Sequence, residues 1–226
     1  MHTSKIIEIL QNHPIFAILS ESEMIQLADR SERLTFKRYD FLFMPDEKSD
    51  TVHLCLKGRV KVGSFNESGK QLIKAIVTPG ELLGEMALFH ETLRDEYAHA
   101  SFEDVVVLEM PVGVIRLLMQ RNAQFTLALL QHFNRRLREV EERLVDFVLK
   151  DARQRVVDFL VHIARSNGSK VGFEMLVKHR YTQQDIAGLT GASRQTVTKV
   201  LNDLRRDNLI KFSRRHILIK DMSILN

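Results

Sequence analysis

Cysteine occurs once in this chain, at Cys55, and tryptophan not at all. One thiol cannot build a disulfide framework, and it falls short of the roughly four thiolates that hold an iron–sulfur cluster in one chain. Four prolines and ten glycines in 226 residues are too few for a collagenous or low-complexity chain, and an apolar fraction of 44% is that of a globular protein. No apolar run reaches the eighteen or so residues that span a bilayer. Met1–Glu8 lacks a basic segment followed by an apolar one, so secretion is not expected. These deficits together predict a cytoplasmic protein with no membrane partner. No phosphate-binding loop, Ser-His-Asp order or metal-ligand spacing is present either, and an enzyme is not expected.

Net charge becomes informative only when the chain is divided. Residues 150–226 carry 15 Lys and Arg against 7 Asp and Glu, whereas residues 1–149 carry 18 against 22. The C-terminal third is therefore the candidate electrostatic footprint for nucleic acid.

The texture of the sequence also changes along its length. Ser20-Glu-Ser-Glu23 has the form of a capping box opening a short helix with Met24 and Leu27 on its inner face. From Leu34 to Glu109 short alternating runs dominate. Val52, Leu54 and Leu56 are expected on one face of a strand, with His53 and Cys55 on the other. Arg59–Val62 and Gln71–Val77 read as strands flanking a turn at Asn66–Gly69, Pro79-Gly80 as a turn, and Val105–Leu108 as a buried strand. Such spacing predicts a closed or two-sheet β-structure, such as a jelly roll, in a domain over residues 1–110.

A helical stretch follows over residues 111–150. Leu130, Phe133, Leu137, Val140, Leu144 and Phe147 recur at alternating spacings of three and four, the seam by which two helices pack lengthwise. A homodimer is expected from it in preference to a groove filled by the chain's own domain, and in a parallel dimer Arg136 at g and Glu141 at e meet across the interface. Lys150-Asp151 reads as a hinge. Residues 151–226 then read as a helix over Arg153–Ala164, a loop at Ser166–Ser169, a helix-turn-helix, and a small hairpin through Leu209–Ile219.

The helix-turn-helix lies in Thr182–Leu201. Thr182 and Ser193 are N-cap residues, Gly191 supplies the turn, and Ile186, Leu189, Val197, Val200 and Leu201 face inward. Arg194, Gln195, Thr198 and Lys199 are left outward near the start of the second helix, where side chains reach base edges in a major groove. Arg matches guanine O6 and N7, and Gln matches adenine N6 and N7. Lys199 suits a guanine or a phosphate. Thr182 and Ser193 are candidate phosphate contacts, joined by Arg214 and Arg215 at the tip of the expected β-wing, and Gln183 and Thr196 are further candidate DNA-binding residues.

Leu56-Lys-Gly58 with Val60 and Val62, Gly80-Glu-Leu-Leu-Gly-Glu-Met-Ala-Leu-Phe89, the heptad helix and Ser193–Leu201 resemble the cyclic-AMP receptor protein/fumarate-nitrate reduction regulator (CRP/FNR) family over nearly the whole chain. The resemblance implies an α+β architecture of cyclic-nucleotide-binding-like jelly roll, long dimerisation helix and winged helix-turn-helix. It also implies a homodimeric transcription regulator that binds an inverted-repeat operator and acts on RNA polymerase. A nucleotide-sensing signalling protein without DNA function is the alternative.

By that resemblance Gly84, Glu85, Met86 and Ala87 form the effector turn, Gly84 admitting the phosphate and Glu85 holding the ribose. The family's Arg-Ser/Thr pair, which neutralises the phosphate, falls on Asp95 and Glu96, with Arg94 one residue early. Val140 and Glu141 stand where relatives that bind cyclic AMP have Thr and Ser near the purine. These departures weigh against cyclic AMP without closing the question. Haem stays open, with His90, His99 and His132 as available ligands, and the effector is unassigned.

Overall fold

The computed structural model describes residues 2–66, 71–89, 92–179, 181–213 and 215–221. The Asn66–Gly69 turn, beyond its first residue, therefore lies outside them, as do His90 and Arg214. Two compact units are present, Met1–Glu139 and Val140–Asn226.

The first unit opens with α1 (His2–Gln11) and α2 (Glu21–Ala28). The α2 start is a true capping box, in which Ser20 accepts from the Glu23 amide and the Glu23 carboxylate accepts from the Ser20 amide. Eight strands follow: β1 (Glu32–Phe36), β2 (Phe41–Phe43), β3 (Thr51–Lys57), β4 (Val60–Phe65), β5 (Gln71–Val77), β6 (Leu82–Leu83), β7 (Tyr97–His99) and β8 (Val105–Pro111). They form two four-stranded antiparallel sheets of order β1-β8-β3-β6 and β2-β7-β4-β5, the jelly-roll arrangement. Two helices then follow, α3 (Val112–Arg121) and α4 (Ala123–Leu149). They are separate because Asn122 leaves the helical region, at φ −123° and ψ 95°.

The expected alternation in β3 gives way to burial on both faces. Val52 and Leu54 join the core shared with α1, α2 and α3, while Cys55 joins the core between the sheets. A strand covered by helices on one side and a second sheet on the other has no solvated face. Burial also pushes the Cys55 thiol up to about 12, so it is protonated at neutral pH and a poor nucleophile.

The second unit comprises the C-terminal part of α4, then α5 (Ala152–Asn167), β9 (Gly168–Val171), β10 (Glu174–Lys178), α6 (Gln183–Thr190), α7 (Arg194–Arg206), β11 (Ile210–Phe212) and β12 (His216–Ile219). Asp151 caps α5 by accepting from the Gln154 amide. Val156, Val157, Leu160 and Ile163 from α5 pack on Ile186 of α6 and on Val197, Val200 and Leu201 of α7.

The loop expected at Ser166–Ser169 does not form. The helix runs through Asn167 and passes directly into β9, because Gly168 has no Cβ to strike the Ala164 carbonyl and the Met175 side chain. The small hairpin is likewise half of a larger sheet of order β11-β12-β10-β9.

Candidate effector and nucleic-acid sites

The effector turn lies between β6 and a short 3-10 segment over Glu85–Phe89. Gly84 has φ +70°, a left-handed conformation that favours glycine, and an added Cβ would come within 2.5 Å of Arg94 Nη1. Arg94 fills the space beneath the turn. It donates to the Gly84 carbonyl at 3.0 Å and the Thr51 carbonyl at 2.6 Å, and its guanidinium lies 4.2 Å from the Phe43 ring centroid. Its Nε is buried with no hydrogen-bond partner among the described residues.

Glu85 is only 5% exposed, and burial raises its pKa, opposed chiefly by Arg136. The two are joined at 2.5 Å, and Arg136 also donates to the Leu82 carbonyl. Within its own unit Arg136 is thus paired with Glu85. A buried carboxylate demands a counter-charge, and Arg136 on α4 supplies it within its own unit. Asp95 and Glu96 are similarly held by Lys74 of β5, at 3.2 and 3.5 Å. Burial raises the Glu96 pKa, opposed by Lys74. Met86 is exposed, Ala87 is buried, and Val140 and Glu141 lie exposed on α4.

A cyclic nucleotide needs a free carboxylate for the ribose and a free cationic edge for the phosphate. Here Glu85 is engaged by Arg136, and the terminal nitrogens of Arg94 donate to carbonyl oxygens. The residues at this turn, arranged so, do not fit that ligand.

Two of the haem candidates, His99 and His132, have hydrogen-bond partners on the ring. His99 Nε2 bonds the Tyr39 carbonyl and its Nδ1 bonds the Ser101 hydroxyl. His132 Nδ1 lies 3.1 Å from Arg135 Nη2, which can only donate, so the ring proton sits on Nε2. Neither ring therefore offers a ready axial lone pair.

Burial, then Arg136 and Arg135, push His132 down to about 4. Because the folded value lies below the unfolded one of about 6.5, the stability from this neutral ring is full above that pH. It is lost as pH falls from there towards 4. Urea titrations at pH 7.5 and 5 should show a drop in midpoint for the wild type that is smaller in His132→Phe.

Along α4, Leu130, Leu137, Val140, Leu144 and Phe147 are all exposed, Leu137 by 57% and Leu144 by 63%. Phe133 differs, because it packs against the N-terminal core and edge-on to Phe89 at 4.7 Å. Phe147 has a second contact: its ring covers Gly191 so closely that no Cβ would fit there, and Arg155 stacks over it at 4.7 Å. Arg155 also donates to the Thr190 and Gly191 carbonyls, holding the turn between α6 and α7. No local signal in the sequence marks Arg155, Lys74 or the Arg136–Glu85 pair, since each depends on residues far along the chain.

The α6 N-terminus carries a capping box, Thr182 with Asp185, and Gly191 ends the helix at φ +59°. Ser193 caps α7 by accepting from the Thr196 amide and bonds the Thr196 hydroxyl. The hydroxyls of Thr182, Ser193 and Thr196 thus serve the helix starts. Arg194, Gln195 and Lys199 point away from the core and are exposed at the beginning of α7. No ion pair ties down Arg194, Lys199 or Arg215 among the described residues, whereas Asp203 holds Arg153 and Arg206 towards the far end. Arg215 is exposed in the turn between β11 and β12, which Ser213 closes by bonding the amides of Arg215 and His216.

Known proteins share this arrangement. Residues 33–122 match the cyclic nucleotide-binding domain model, and residues 154–226 match the Crp-like helix-turn-helix domain model. A CRP-like cAMP-activated global transcriptional regulator of Mycobacterium tuberculosis is 29% identical over 214 residues, 95% of each chain. The global nitrogen regulator of Synechocystis sp. is 27% identical across 82% of this chain and 83% of its own. Among solved structures, a CooA mutant from Carboxydothermus hydrogenoformans matches with a TM-score of 0.76 at 22% identity, covering 97% of this chain and 93% of its own.

A jelly roll of the cyclic-nucleotide-binding class followed by a helix-turn-helix DNA-binding domain defines a transcription regulator. The two domain models and the relatives together support a transcription regulator of the CRP/FNR family. Its relatives are regulators rather than enzymes, and no helix among the described residues is long and apolar enough to cross a membrane.

Proposed function

We propose that this protein acts in the cytoplasm as a homodimer on an inverted-repeat operator, under an effector other than cyclic AMP, and influences RNA polymerase at promoters. The observation that carries the DNA reading is the trio Arg194, Gln195 and Lys199, exposed on the first turns of α7 with no ion pair on Arg194 or Lys199 among the described residues. The exposed apolar stripe on α4 supports the dimer, because apolar side chains in that register gain most by meeting a copy of themselves. Two recognition helices related by a dyad enter successive major grooves, so half-site centres fall about 34 Å apart.

Binding-site selection followed by salt-dependent anisotropy tests this reading. It predicts a palindromic site and a steep fall of affinity with salt. Arg215→Ala should weaken all duplexes alike and flatten the salt slope by about one ion per subunit, as a phosphate contact does. A variant that changed base preference instead would place Arg215 in a groove.

The effector reading has a separate test. Calorimetric titration with cyclic AMP should give no micromolar binding, and a micromolar affinity would overturn the reading. Replacing Asp95 with Arg and Glu96 with Ser removes both carboxylates that hold Lys74, and should raise affinity for a cyclic nucleotide.

A further inference from the structure

Thr198 stands one turn into α7 among the residues expected to face DNA, yet its hydroxyl is turned onto its own domain. It lies 2.7 Å from Gln183 Oε1 and 2.9 Å from the Arg194 carbonyl. The hydroxyl has one hydrogen, directed to Gln183 Oε1 over the shorter distance; the Arg194 carbonyl, four positions earlier, is the competing acceptor. The bond to Gln183 reaches across the turn to the opening residue of α6, 15 positions away in sequence. Both side chains are half-buried, so the contact is partly shielded from water.

A free glutamine carboxamide presents either its oxygen or its nitrogen, and in DNA recognition the two choices mean different things. With both exposed it reads adenine; with only the nitrogen exposed it is a pure donor. Here the oxygen is held by Thr198, and the amide nitrogen makes no hydrogen bond among the described residues. A donor-only group at the start of α6, next to the Thr182 cap, matches the acceptor-only oxygens of the phosphate backbone.

We propose that Thr198 is a positioning residue: its hydroxyl holds the Gln183 carboxamide with the amide nitrogen outward, and that nitrogen donates to a DNA phosphate. The proposal rests on the DNA-binding reading above. It gives Gln183 and Thr198 one joint role, which secures register on the duplex and reads no base. It also couples the placement of α6 on the backbone to that of the recognition helix, since Thr198 is itself a residue of α7.

A double-mutant cycle on the full-length protein tests this, using the selected operator and an unrelated duplex across a salt series. Gln183→Ala should weaken binding about fivefold per half-site, the effect of one neutral hydrogen bond, and equally on both duplexes. Thr198→Val, which keeps the side-chain shape, should weaken binding in the same direction. The double variant should bind no worse than Gln183→Ala alone, and Thr198→Ser should restore wild-type affinity. Neither the salt slope nor the base preference should move, because an uncharged phosphate donor affects neither. Thermal melts of the variants monitor folding independently.

Additive losses in the cycle would overturn the clamp, as would a Gln183→Ala variant that binds like the wild type. A changed base preference in either variant would overturn it too, by making the pair a base reader. If the wild type bound no duplex at all, the DNA-binding reading itself would fall. A wild type that binds while its variants show no coupling removes only the clamp.

Discussion

Leu137→Lys is expected to convert the proposed dimer to monomer and to remove operator binding at concentrations where the wild type is saturated. Leu137 sits midway along the apolar stripe of α4, more than half exposed in the single chain. Its substitution should therefore leave the fold of each subunit intact. In a parallel pair, however, two lysines would face each other inside the seam, and an unpaired buried charge is poorly tolerated. Each half-site contact alone is weak. The dimer gains from effective concentration, which can multiply affinity by about 10²–10⁴ without any new contact. Sedimentation and anisotropy on the same preparation measure both losses. A dimeric Leu137→Lys protein with unchanged operator affinity would assign the stripe to another partner.

The partial engagement of Phe147 sharpens that expectation. Its ring is packed on Gly191 and under Arg155, so the last seam position is also a support of the α6–α7 turn. Phe147→Ala should therefore harm DNA binding through the turn as well as through the seam, and Leu137→Lys is the cleaner test.

Arg194→Ala should cost about 1–3 kcal/mol per half-site and relax the preference at one base pair. With two half-sites the loss on a palindrome doubles when the contacts are independent. The guanidinium is exposed and free of ion pairs among the described residues, so contact with a guanine would break no internal ion pair. Gln195 beside it is expected to address an adjacent step as both donor and acceptor. Selection with the Arg194→Ala protein checks the assignment. Unchanged base preferences would mean that another element reads the DNA.

Much of this site is visible in the sequence because its determinants are local. The Ser20–Glu23 and Thr182–Asp185 boxes, the Ser193 cap and the glycine at the α6 end involve residues within a few positions of each other. Apolar spacing along α4 and α7 is also a property of consecutive turns. The effector turn is different. Its Gly-Glu sequence is present, but the role of each side chain depends on what approaches from elsewhere. Arg136 arrives from 51 residues away, Lys74 from 21 or 22, and Thr51 from 43. The heptad spacing shows Arg136 only at a g position; that the buried Glu85 carboxylate pairs with it is visible in the packed structure alone. The strands β9 and β10 were missed for a related reason. Their pairing through Gly168 depends on space that only the packed Met175 and Ala164 define.

By itself, then, the sequence determined the order of parts: a jelly roll, a long helix with an apolar stripe, and a basic helix-turn-helix with its caps and outward-facing Arg194, Gln195 and Lys199. Periodicity, capping and charge are short-range properties, and 3.6- and 2-residue repeats express them directly. Tertiary structure alone decided which strands pair, that β3 has two buried faces, and where Arg94, Arg136 and Lys74 find their partners. It also decided that Thr198 faces Gln183. Those outcomes depend on which charges and hydrogen-bonding groups are brought within about 3 Å, in surroundings where an unpartnered polar group is costly. No spacing along a single chain encodes that proximity.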